Sequence, residues 1–69
     1  MSELTWVTQI FESQIAQRGG LARRKMSSII QYASLDAVRQ AAEERGYHIV
    51  QHGDQWVIFC DDAEVRIIT

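Results

Sequence analysis

The sequence contains no proline and only one cysteine, Cys60. A proline-rich spacer is therefore absent, and no internal disulfide can brace the chain. A lone thiol without a signal-peptide pattern predicts a reducing, cytoplasmic setting. No run of about 18 apolar residues occurs, so no membrane-spanning helix is expected. Neither G-x-x-x-x-G-K-[ST] nor G-x-G-x-x-G is present, which removes the familiar phosphate loops. Helix-turn-helix, RNP and zinc-finger signatures are missing too, as are internal repeats and low-complexity runs. The formal charge of −2 gives no overall attraction to nucleic acid or anionic lipid. With 69 residues the chain reads as one domain, 1–69, near the size at which an unstapled core only just suffices.

What is present centres on residues 34–60. Ser34 is a natural N-cap and Asp36 places a negative charge in the first turn, so a helix is predicted from about Leu35. Leu35, Val38, Ala41 and Ala42 form its apolar stripe, and Arg39, Gln40, Glu43 and Glu44 its polar side. Gly46 is the expected stop. Two runs of β-type residues follow, Tyr47–His52 and Gln55–Cys60, separated by Gly53-Asp54 alone. That pattern predicts a hairpin with a type II′ or I′ turn and sets His52 opposite Gln55, Val50 opposite Val57 and Ile49 opposite Ile58.

After Asp61-Asp62-Ala63, the run Glu64–Thr69 is expected to complete an antiparallel meander, with Ile67 facing Ile58 and Arg66 facing Phe59. Alternation then puts Tyr47, Ile49, Trp56, Ile58, Cys60, Val65 and Ile67 on the face that takes the helix. The other face carries Val50, Val57, Phe59 and Ile68 beside His48, Glu64 and Arg66. It is too apolar for a solvated face, so a cover is expected: the N-terminal helix, a second copy of the chain, or a partner.

Toward the N-terminus, Leu4, Val7, Phe11 and Ile15 recur at helical spacing from Glu3 to Arg18, with Trp6 and Ile10 widening the stripe until Gly19-Gly20. Residues 21–33 fit either a helix or a strand. Arg23, Arg24 and Lys25 in a helical first turn would oppose the dipole, which favours a short basic edge strand over Leu21–Met26.

Candidate chemistry is sparse. His48 and His52, four apart on a strand, stand about 13 Å from each other, and Cys60 points to the opposite face. No metal site and no cofactor is expected. His48, Asp61, Glu64 and Arg66 should meet at one sheet end, but a His–carboxylate pair without a nucleophile or oxyanion device is also an ordinary polar end. Ser27-Ser28 lack a strained elbow, and Cys60 has no basic neighbour in sequence. No catalytic residue is assigned, and an enzyme is not expected. Four of the seven basic residues, Arg18, Arg23, Arg24 and Lys25, fall within eight positions and form a candidate nucleic-acid contact.

The sequence thus predicts a small two-layer α+β domain: an N-terminal helix, a short basic strand, a central helix and a three-stranded antiparallel meander. The expected role is a non-enzymatic protein-interaction or regulatory module of the cytoplasm, binding a protein partner or a second copy of itself. Its working surface is assigned to Trp6, Ile10, Val50, Val57, Phe59 and Ile68. The alternative is nucleic-acid binding through Arg18–Lys25.

Overall fold

Among the described residues four helices and three strands follow one another in the order α1 (Glu3–Glu12), α2 (Gln14–Gln17), β1 (Leu21–Lys25), α3 (Met26–Tyr32), α4 (Leu35–Glu44), β2 (His48–His52) and β3 (Gln55–Phe59). The computed structural model describes residues 2–69. The α+β class is as expected, and the sheet is three-stranded and antiparallel.

The central helix and the hairpin form where the sequence places them. Ser34 accepts a hydrogen bond from the Ala37 amide at 3.0 Å and opens α4. At its end Gly46, with φ +73°, donates to the Glu43 carbonyl while Tyr47 donates to Ala42. This double bond pattern is the Schellman closure, and the left-handed position it requires is why glycine stands there. In the hairpin His52 pairs with Gln55, Val50 with Val57 and His48 with Phe59. Gly53 has φ +61° and no other residue type adopts positive φ among the described residues, so Asp54 does not, and of the two primed turns only type II′ fits.

The N-terminal helix is interrupted rather than continuous to Arg18. Ser13 is extended, with φ −63° and ψ 157°, and its hydroxyl accepts from the Ala16 amide at 3.3 Å while donating to the Ile10 carbonyl at 2.9 Å. A side chain that ends one helix and caps the next turns the chain at a point where apolar spacing alone reads straight through.

The third strand is the basic one. Glu64–Thr69 forms no strand, and the meander expected from it is absent. The edge of β3 assigned to those residues is occupied by β1, which pairs Leu21 with Phe59, Ala22 with Ile58 and Arg23 with Val57, giving the order β1-β3-β2. The physical reason is burial. Ala22 is small enough to pack against Ile58 under the helices at 2% exposure, whereas Ile67 and Ile68 lie 89% and 85% exposed. The ladder even extends past the strand ends, with Cys60 donating to the Gly20 carbonyl at 3.0 Å.

All the buried core lies to one side of this sheet. Ile58 and Cys60, with Ala22, pack with Val7, Ile10 and Phe11 of α1, Ala16 of α2, Ile29 of α3 and Val38 and Ala42 of α4. Each large side chain fully buried there contributes about 1.5–3 kcal/mol relative to exposure. Trp6 stacks on Tyr32 at 5.7 Å, and the Arg45 guanidinium sits 4.6 Å over the Phe11 ring. The N-terminal helix therefore belongs to the same core as α4 and does not cover the second sheet face. Ile10, expected on the working surface, is 1% exposed and is a core residue.

Candidate functional site

The alternation of strand side chains, combined with the two registers, fixes a three-by-three grid on the face away from the core. Its rows are Leu21–Phe59–His48, Arg23–Val57–Val50 and Lys25–Gln55–His52. Leu21 is 43% and Val50 40% exposed; Val57 and Phe59 are half-buried, and the other edge residues are exposed. Leu21, Phe59, Val57 and Val50 make one apolar centre. Arg23 and Lys25 stand along one edge of it and His48 and His52 along the other. No carboxylate occupies any of the nine positions.

The same alternation divides the basic segment. Arg24 lies on the core side opposite Trp56, half-buried, and its Nη1 donates to the Arg23 carbonyl at 2.6 Å. Arg18 caps the end of α2 instead of joining the strand. Only Arg23 and Lys25 of the expected four share the open face.

Of the other expected surface residues, Trp6 is half-buried against Tyr32 on the helical side, and Ile68 lies in the irregular C-terminal segment. Neither joins the grid. The polar sheet end expected from His48, Asp61, Glu64 and Arg66 does not assemble. Arg66 donates to Glu64 at 3.4 Å in the exposed segment, Asp61 accepts from the Ala63 amide at 3.0 Å, and among the described residues His48 makes no ion pair. Among the described residues no three His, Cys, Asp or Glu side chains gather so as to hold a metal ion, and no helix is long and apolar enough to cross a membrane.

Cys60 is 3% exposed with its Sγ 3.7 Å from the Ile58 carbonyl. Burial, reinforced by Asp61, pushes the thiol pKa up against smaller opposing effects of the Ala22 backbone and Arg24. A thiol so held is a poor nucleophile.

Two depressions lie where α4 meets other elements. A groove of about 430 Å³ runs between α1 and α4 over Leu4, Val7, Ala37 and Ala41, with Glu3 and Glu44 at its rim. A smaller one, about 250 Å³, lies beside β2 and is lined by Arg39, Ile49, Gln51 and Trp56. Arg39 is held across its mouth by Asp36 at 2.6 Å and Glu43 at 3.0 Å. Sequence reasoning found neither groove, because both arise where α4 meets another element and such contacts leave no local pattern.

No family model, curated protein or solved structure matches this chain.

Proposed function

We propose that the protein is a non-enzymatic interaction module whose open sheet face binds an extended, acidic and apolar segment of a protein partner. The observation that carries this reading is the grid itself: an apolar centre between an edge of Arg23 and Lys25 and an edge of His48 and His52, without a carboxylate among its nine residues. Apolar surface at the centre supplies affinity, and the edge charges supply orientation and partner choice. A partner with carboxylates flanking β-branched or aromatic residues complements it.

Nucleic acid is the lesser fit. Sequence-tolerant binding of single strands relies on broad aromatic platforms, and Phe59 is the one Phe, Tyr or Trp ring in the grid, beside the smaller imidazoles of His48 and His52, since Tyr47 and Trp56 lie on the core side. Arg18 and Arg24 stand off the face as well.

The test compares partner capture by the unaltered chain and by a Leu21→Glu/Arg23→Glu variant, both positions being exposed and so tolerant of charge. Bound protein that is lost in this variant but kept in Ile30→Glu, at an exposed residue of α3, supports the reading. Equal capture by all three sinks it. So does direct binding of short single-stranded or duplex DNA that weakens steeply with salt and is lost on replacing Arg23 and Lys25, which would transfer the face to nucleic acid.

A further inference from the structure

We infer that residues 64–69 of one copy of the chain add as a strand to the free edge of β2 in a second copy, so that the two copies exchange C-terminal segments. The edge is open and unguarded. Among the described residues β2 pairs with β3 alone, and the backbone groups along its other side have no strand partner there. Its sequence, HIVQH, holds no Lys, Arg, Asp, Glu or Pro, the residues that usually protect an edge, and four of its five positions are exposed. The opposite edge, β1, carries Arg23, Arg24 and Lys25 and is defended in that way.

The segment EVRIIT is the complementary half. It has strong strand-forming character, yet in the single chain both sides of β3 are already taken and the segment stays irregular. Ile67 and Ile68 are the two most exposed large apolar residues among those described. Laid along β2, alternation carries Val65 and Ile67 to one face and Glu64, Arg66 and Ile68 to the other. The first pair meets Ile49 and the groove of about 250 Å³ over Trp56, and Ile68 meets Val50. β2 carries no carboxylate that would repel Asp61, Asp62 and Glu64.

A second copy fits better than the chain's own β2. Cys60 leaves β3 between the points where the chain enters β1 and β2, with Asp61 against Gly19 and Asp62 against Gly46. The segment thus passes the entry of β2 in its own chain and still pairs with none of that chain's strands. A second molecule can approach the open edge without rounding the Gly46-Tyr47 entry. Reciprocal exchange of this kind gives a closed dimer with two identical contacts.

Sedimentation equilibrium from about 10 µM to about 1 mM tests the exchange, because mass action favours the dimer at the upper end. The expected result is a dimer for the unaltered chain and a monomer for Ile67→Pro, which places a strand-disfavouring residue in the middle of the added segment at an 89% exposed position and leaves the fold intact by its amide spectrum. On dimerisation, amide shifts should concentrate in His48–His52 and the Trp56 indole. A strict monomer at about 1 mM, or a dimer that persists in Ile67→Pro, overturns the inference. So does a dimer lost in Leu21→Glu/Arg23→Glu and kept in Ile67→Pro, which would make the open face the self-contact. The exchange meets the open face only along its β2 edge, at Val50, so capture of an outside partner by Ile67→Pro without dimerisation is the expected pattern when both readings hold.

Discussion

Cys60 sits just beyond β3, nearly closed to solvent, and its chemistry follows from that position. Because burial pushes its pKa up, folded and unfolded chains hold the proton equally below about pH 8.5, the ordinary thiol value. Above it the unfolded chain loses its proton first, so stability falls as pH rises until the folded thiol also ionises. Urea denaturation of the unaltered protein and of Cys60→Ala should therefore diverge in slope above about pH 8.5, the variant losing less, since other alkaline groups are common to both. Iodoacetamide at neutral pH should modify the native thiol at least about 10-fold more slowly than the unfolded one; equal rates would mean that Cys60 is reached without unfolding. The same scale holds the turn glycine. A Cβ at Gly53 would meet no neighbour within 4 Å, so Gly53→Ala isolates the backbone cost of the type II′ position, about 1–3 kcal/mol by thermal or chemical denaturation.

At the scale of elements, legibility divided along the range of the forces involved. α4 and the β2–β3 hairpin were readable because each is specified by neighbours in sequence: Ser34, the 3.6-residue stripe and Gly46 for the helix, Gly53-Asp54 for the register. Ser34→Ala should accordingly cost about 1 kcal/mol, measured as a lowered denaturation midpoint with an unchanged denaturant slope. Leu21–Lys25 was readable as a strand from the placement of its charges, but its partner was not. Pairing β1 with β3 joins residues thirty or more apart, and the choice between β1 and residues 64–69 is decided by which segment can bury a residue under the helices. EVRIIT has the better strand composition and lost the position to LARRK, whose Ala22 fits against Ile58. The break at Ser13 was hidden for a related reason: Leu4, Val7, Phe11 and Ile15 keep helical spacing across it, while serine's capping hydroxyl is one polar residue among several.

For the whole molecule the governing asymmetry is that every buried side chain of the sheet lies on its helical side, while the open face combines aliphatic and aromatic residues with edge cations. The semi-apolar second face was legible from alternation in the hairpin alone, which is why Val50, Val57 and Phe59 hold their assigned face while Ile68, whose assignment depended on pairing residues 64–69 with β3, does not. The charged edge was not legible, since it needs β1 beside β3. If the open face exists to meet a partner and contributes little to the isolated fold, substitutions on opposite sides of the sheet must separate sharply. Val50→Thr, at a 40% exposed position, should change the unfolding free energy by less than about 1 kcal/mol. Ile58→Ala, across the hairpin and 0% exposed, should cost about 2–5 kcal/mol through lost burial and the cavity it leaves. Denaturation of both variants below the dimerising range decides the matter. Comparable losses would show that the second face is already part of a core, and its availability to a partner would fall with that result.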